Sequence, residues 1–544
     1  MRNRCLVWLL LAGILVVGAG FRLHGIRWDH QIGAHPDERF IVSVAERLSF
    51  SESLNPFDVA PDLAYGHLPV YVVALARAGV PNADPLVLGR ALSASFDLGT
   101  VLLTFLLARR LYDGRVGLLA AALVSLAPAH VQQAHFYTPD TVLTFLTMGV
   151  LLFVVRFFQA RRTVDIWLAG GLAGLAVGTK VTGGLLIVPL GLACWLPSHG
   201  RARAALGCAL AGVMTFVAAD PFAVWEMGKF LENLAGQSSI VRGAWDVPYT
   251  RQYHGTLPYV YPMVQQARWG IGWLWSLVAL VRIAREATGA IQARIQPGRE
   301  LLLAWVLPYV GLVAGLYAKF PRYMLPVIPA LAIFAAGALV DIGRKQRRAL
   351  WAPSALLVGA GLLRCSALAT MYGQPHPWVS ASQWMREEVS AGATVAVEAW
   401  DHPLPVGGSG DGYVRLELPV FDEETRVKWA AMNEALREAD YVIVASRRGY
   451  GALSRWSDRY GRTARYYEDL FTGELGFEPA ACFGRLPRLG GFVLADDPTA
   501  GLSFPLPDIC KPGGDRRPQL GRLDESFVVY DHPQVIIFKA SPDR

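Results

Sequence analysis

Over its first 371 residues the chain alternates long apolar runs with short polar connections. Judged against the ~20 residues that a helix needs to cross a bilayer, about eleven runs read as spans. They cover residues 5–21, 91–107, 116–129, 141–155, 166–177, 181–196, 204–219, 269–283, 301–318, 323–340 and 349–371. A further run, 68–80, is apolar but interrupted by Arg77, and reads as a helix lying in the membrane surface. Beyond residue 371 the pattern changes. Residues 394–398, 441–445, and 527–530 with 535–538 are β-branched and aromatic runs bounded by Gly, Pro and Asp, and read as strands. Residues 382–389 and 424–438 read as helices. The pattern predicts an α-helical multi-pass membrane domain over 1–371 and a small α/β domain over 372–544. It contains no repeat of solenoid period.

Composition agrees. Of 544 residues 53% are hydrophobic and 17% charged, with mean hydropathy +0.32, against about a quarter charged in a soluble globular domain. The net charge of +7 follows topology and calls for no nucleic acid. With Arg2 and Arg4 cytoplasmic, every second short loop is basic: Arg109, Arg110 and Arg115; Arg156, Arg161 and Arg162; Arg201 and Arg203; Arg282 through Arg299; Arg344, Lys345, Arg347 and Arg348. The register leaves 22–90, 220–268 and everything after 371 outside the cell membrane. Val17-Gly18-Ala19 also fits a signal-peptidase site, but a retained helix would better hold the loop that follows. That loop is too long for a plain connection and is expected to carry structure of its own. Cys5, Cys194 and Cys208 read as small hydrophobes in or beside spans, and Cys365 lies in the last span. Cys482 and Cys510, both external, are expected to pair.

The chemistry collects on the outer side. His35-Pro36-Asp37-Glu38 sets two adjacent acids just past the first span. One such carboxylate is usually only a solvated loop; two beside His35 and Arg39 suit either a base for an acceptor hydroxyl or a divalent metal. A second external acid, Asp140, follows Pro139 and is also a good helix start. Lys180 and Arg322 sit tight against spans at their outer ends. Each alone reads as a snorkelling anchor, but together they offer a phosphate a point charge and a planar fork. Asp97, several residues into the second span, suits an ion path or a pairing with Arg90. A transporter or flippase is the rival class, but repeats are missing and the other charges fall at external ends. A receptor domain on an anchor would not need so many spans.

Taken in order, "HPDERF", "NPFDVAPDLAYGHLPVY", "HFYTPDTVLTF", "GLAVGTKVTGG", "QYHGTLPYVYP" and "KFPRYMLPVIPAL" resemble the C-type glycosyltransferases that use polyprenyl-phosphate-linked sugars. The branch most similar is that of protein O-mannosyltransferases and lipid A aminoarabinose transferases. "VEAWDHPLP" and "ESFVVYDHPQVIIFK" in the tail resemble bacterial members. The resemblance implies a lipid-phosphate-linked sugar donor and a lipid, glycan or protein acceptor. It implies Asp37 as base or acceptor-orienting acid, with Glu38 beside it and Asp140 shaping the site. Lys180 and Arg322 would bind the carrier phosphate, with His35, Tyr65, His135, Tyr253 and Tyr323 lining the substrate. No cofactor is expected. His35 and His135 make a metal conceivable, although that branch does not generally need one. No Gly-rich nucleotide loop is present on the cytoplasmic side.

Overall fold

The structure, a computed structural model, describes residues 2–49, 53–195, 201–292, 298–345, 348–407, 412–494, 496–511, 521–542 and 544. Leu196, Arg294 and Arg347, counted above in a span and in basic loops, lie outside the described residues. The chain forms two compact units. The first comprises Met1–Ile26, Pro36–Arg242 and Leu257–Cys365, and the second Arg27–His35, Gly243–Thr256 and Ser366–Arg544.

The first unit is helical; each of the eleven apolar runs is helical over much of its described length, and the last continues past Cys365 into the second unit. Six stretches are long and apolar enough to cross a membrane: Cys5–Leu23, Pro85–Leu111, Pro139–Ala160, Arg201–Ala219, Pro321–Arg344 and Ala352–Glu388. Gly114–Ser125 and Pro128–Ala134, bent by 57° at the break, make a seventh if counted together. The break follows from Pro128, whose ring cannot continue the helix before it. Thr163–Val177 is apolar but short, and Arg299–Val313 has 15 residues, about 22 Å at 1.5 Å per residue. Trp273–Ile291 is long enough but carries Arg282, Arg285 and Glu286. Length and composition therefore support fewer full spans than the apolar pattern alone.

Pro139–Ala160 runs through the middle of this unit, most of its residues buried. Thr163–Val177 and Arg201–Ala219 meet closely enough that a Cβ on Gly174 would lie 2.1 Å from the Gly212 carbonyl oxygen. Backbone approach through small residues is how helices gain packing energy in lipid. The long segment between the first two apolar runs does have a core of its own: Ile41 and Val44 of Pro36–Arg47 pack with Phe57, Leu63 and with Val70 and Val73 of Leu68–Gly79.

In the second unit a five-stranded sheet is built from β1 (Thr394–Glu398), β2 (Val414–Leu418), β3 (Tyr441–Val444), β4 (Phe477–Phe483) and β5 (Val535–Ala540). Its order is β2-β1-β3-β5-β4; β1 is parallel to β2 and β3, and β5 is antiparallel to β3 and β4. Helices Pro377–Glu388 and Arg426–Glu438 answer the expected 382–389 and 424–438, the first beginning five residues earlier at its proline. Residues 527–530 are not a strand. Asp524 accepts the Ser526 N–H and hydroxyl, closing a 3-10 turn over Glu525–Phe527, so this apolar run is buried without joining the ladder. β2 and β4 escape the sequence reading: β2 exposes much of its length and β4 contains Pro479. Cys482 and Cys510 are joined by a disulfide.

Candidate active site

Two acids and two cations from four distant segments meet in the first unit. Asp37 stands in the first turn of Pro36–Arg47, and Asp140 in the first turn of Pro139–Ala160, each directly after a proline. Pro suits the first helical position, and the helix N-terminus favours a carboxylate there. An Arg322 Nη atom lies 2.7 Å from Asp37 Oδ2, and Arg322 Nε lies 3.8 Å from Asp140 Oδ2. Lys180 Nζ donates to Asp140 Oδ1 at 2.8 Å and stands 4.2 Å from the Tyr323 ring centroid. The charges alternate along the chain Asp37–Arg322–Asp140–Lys180. Asp140 is 2% exposed, while Asp37 and Lys180 are 20% and 16% exposed, so the row is buried in the middle and more open at both ends.

Three packing devices hold the row. Glu38, wholly buried, accepts two hydrogen bonds from Arg90: Nε to Oε1 at 2.9 Å and Nη2 to Oε2 at 2.8 Å. The same Oε1 accepts the Tyr137 N–H at 3.1 Å. Glu38 therefore ties the turn bearing Asp37 to the loop that leads into Asp140. The second device joins Tyr65 to Lys180. The Leu68 N–H donates to the Gly178 carbonyl at 3.0 Å, and a Cβ on Gly66 would lie 2.1 Å from that oxygen. Only glycine permits this approach, which sets Tyr65-Gly66-His67 beside Gly178-Thr179-Lys180. Burial, and then the charge of Asp37, push the Tyr65 hydroxyl well above the usual tyrosine range, so it stays a neutral donor. The third is Tyr309, whose hydroxyl donates to the Tyr323 carbonyl at 2.8 Å beside Arg322.

The structure thus gathers Asp37, Asp140, Lys180, Tyr65, Arg322 and Tyr323, with Glu38 behind them. His135 is held by backbone, its ring nitrogens 2.8 Å from the Val131 carbonyl and 2.9 Å from the His24 carbonyl. His35 and Tyr253 belong to the second unit, both buried there, with His35 against the Tyr530 ring. Asp97 does not pair with Arg90: it bonds Arg22 Nε and His130 Nδ1, each at 2.6 Å, all three wholly buried. Arg90 is committed to Glu38 instead. The sequence pattern does not single out the buried His67–Asp220 pair at 2.6 Å, the role of Arg90, or Tyr309. Arg90, at the head of a span, is the one of these with a usable signal: a cation in that position demands a carboxylate. Among the described residues no group of three or more His, Cys, Asp or Glu is arranged to hold a metal ion.

An apolar groove lies in the same unit, lined by Met263, Ile271, Val306, Val310, Met324 and Ile328. Met324 is two residues beyond Arg322 in the same 3-10 turn, Pro321–Val327. Gln266, also on the groove, donates to the Pro321 carbonyl at 2.7 Å.

Residues 82–225 match the sequence model of the family described as dolichyl-phosphate-mannose-protein mannosyltransferase. No curated protein matches the chain by sequence. Among solved structures, ArnT from Cupriavidus metallidurans bound to undecaprenyl phosphate is 16% identical, with a TM-score of 0.51 over 82% of this chain and 94% of that one. The Archaeoglobus fulgidus oligosaccharyltransferase AglB, in complex with an inhibitory peptide and a dolichol-phosphate, is 15% identical, with a TM-score of 0.50 over 85% and 72%. A further structure of the oligosaccharyltransferase from that organism, with Zn and sulfate, is 14% identical, with a TM-score of 0.51 over 88% and 72%.

Proposed function

We propose that this chain, which shares the fold of the C-type glycosyltransferases and a sequence segment of the protein mannosyltransferase family, is a membrane enzyme that moves a sugar from a polyprenyl-phosphate carrier to an acceptor hydroxyl. The single observation that carries the reading is the alternating row Asp37–Arg322–Asp140–Lys180 beside an apolar groove. A lipid-linked sugar phosphate has the matching form, with an anionic head, a sugar and a long apolar tail.

The chemistry needs few groups. The acceptor hydroxyl gives its proton to the Asp37 carboxylate while its oxygen attacks the anomeric carbon. The bond from that carbon to the phosphate oxygen breaks, and the electron pair leaves with the polyprenyl phosphate. Lys180 and Arg322 meet the charge that develops on the leaving oxygen, and fixed charges in a site partly shut from water need little reorganisation to do so. A guanidinium has five donors and an ammonium three, so each can keep its carboxylate and also reach phosphate oxygens. Asp140 holds both cations in place. Tyr65, kept neutral, donates a hydrogen bond to sugar or phosphate. The groove takes the first prenyl units. The reading places the active site and the tail after residue 371 outside the cytoplasm, with the N-terminus inside.

The test is a donor titration paired with single-turnover transfer on purified protein. Asp37→Asn should lower transfer by about a hundred- to ten-thousandfold, the usual range for loss of a general base. Donor binding should be kept, or tightened, because Asp37 no longer shares Arg322. Transfer at the wild-type rate by folded Asp37→Asn protein overturns the assignment.

A further inference from the structure

The tail has no part in the chemistry above, yet the nine residues before Pro36-Asp37, Arg27–His35, are built into it. This strap is anchored at both ends. At its start Trp28, 2% exposed, has the Arg485 guanidinium 5.5 Å from its ring centroid, with an Arg485 Nη1 atom 3.4 Å from its carbonyl oxygen. Arg485 Nε in turn donates to the Asp531 carbonyl at 2.6 Å. Asp531, wholly buried, accepts the Tyr372 hydroxyl at 2.9 Å. At the strap's far end the His35 ring lies 4.3 Å from that of Tyr530. Between the anchors the backbone is strained. His30 and Gln31 hold φ of 53° and 69°, a region that side chains other than glycine seldom occupy. Asp29 supports the turn, its carboxylate accepting the Gln31 and Ala34 N–H groups, each at 3.1 Å. Strain of this kind persists only where the surroundings over-determine it. Asp37 follows His35 by two residues.

We infer that the tail's Tyr530-Asp531 turn and Arg485 form a positioning device for Asp37, acting through the strap 27–35. The inference rests on the reading of Asp37 as base. It gives the "ESFVVYDHP" motif a positioning role, exerted through the strap. A carboxylate displaced by about 1 Å loses on the order of a hundredfold in rate, while Lys180 keeps its bond to Asp140 and Arg322 keeps Asp140 beside it.

Three variants of the whole chain test it. Tyr530→Leu removes the ring against His35, and Tyr530→Phe keeps it. Inserting two glycines between His35 and Pro36 slackens the strap without changing any side chain. Tyr530→Leu and the insertion should each lower the single-turnover rate by about tenfold or more, leave the dissociation constant for the polyprenyl-phosphate sugar within about twofold of wild type, and leave the melting temperature unchanged; Tyr530→Phe should restore the rate. Unchanged rates in both overturn the inference, and so does a joint fall of rate, donor affinity and melting temperature, which marks Tyr530 as merely structural. Asp37→Asn, measured alongside, separates the two claims. If it is inactive while the strap variants are not, only the positioning role fails; if it is fully active, the base reading itself fails.

Discussion

Glu38 and Arg90 face each other in a wholly buried pair of hydrogen bonds, 2.9 and 2.8 Å long, directly behind Asp37. Adjacent acids in one motif thus play different parts, one turned toward solvent and the other sealed inside. Removing one partner of a buried pair strands the other's charge at a cost of about 3–5 kcal/mol. Arg90→Ala should therefore lower the melting temperature of detergent-purified protein sharply and abolish transfer with it. Asp37→Asn should leave melting nearly unchanged while transfer fails. Equal stability of the two variants would contradict the division.

Lys180 and Arg322 are expected to act on the donor. A hydrogen bond to a charged group is worth about 1.5–3 kcal/mol, so Lys180→Ala and Arg322→Ala should each weaken binding of the polyprenyl-phosphate sugar by about tenfold or more. Tyr323→Leu, which removes only the ring beside Lys180, should cost less, about 0.5–1 kcal/mol. Equilibrium titration with the same donor decides the order.

Gly66 offers a test that touches no charge. A methyl group there would lie 2.1 Å from the Gly178 oxygen, so Gly66→Ala must push the Tyr65 loop away from the Lys180 turn. Donor affinity and transfer should both fall, while Gly184→Ala, where a Cβ meets nothing within 4 Å, should be silent. Kinetics on the two variants side by side would check this.

The tail should lose stability as pH rises. Burial raises the Glu398 carboxyl from 4.5 to about 8, outweighing the nearby Tyr467 hydroxyl. The folded unit keeps this proton between pH 4.5 and about 8, while the unfolded chain gives it up. The unfolded state then binds fewer protons, and stability declines across that window. Glu398→Gln should flatten the decline, seen as a smaller difference in melting temperature between about pH 5 and pH 8.

Orientation can be read directly. Impermeant thiol labelling of single-cysteine variants in intact cells should mark sites in 53–67 and in the tail, and leave a site beside Arg344 unlabelled. A labelled Arg344 loop would reverse the proposed side of the reaction.

The sequence by itself determined the helical membrane class, the change of character near residue 371 and the residues that carry charge to the ends of apolar runs. Those are local properties: the length of an apolar run, the placing of Lys and Arg, and a proline ahead of an acid. It could not say which charges meet. Asp97 had Arg90 seven residues away along one helix, yet packing gave it Arg22 and His130, and gave Arg90 to Glu38, 52 residues back. Nor could it show that 27–35 joins the tail, because Trp28 and His35 look the same in a loop as in a core. Residues 527–530 misled in the same way, being apolar because they are buried rather than because they pair. Partner choice among buried charges depends on side chains brought together from distant parts of the chain, where each unpaired group would be costly. Only the tertiary structure fixes that choice, and with it the row of alternating charge on which the proposed reaction depends.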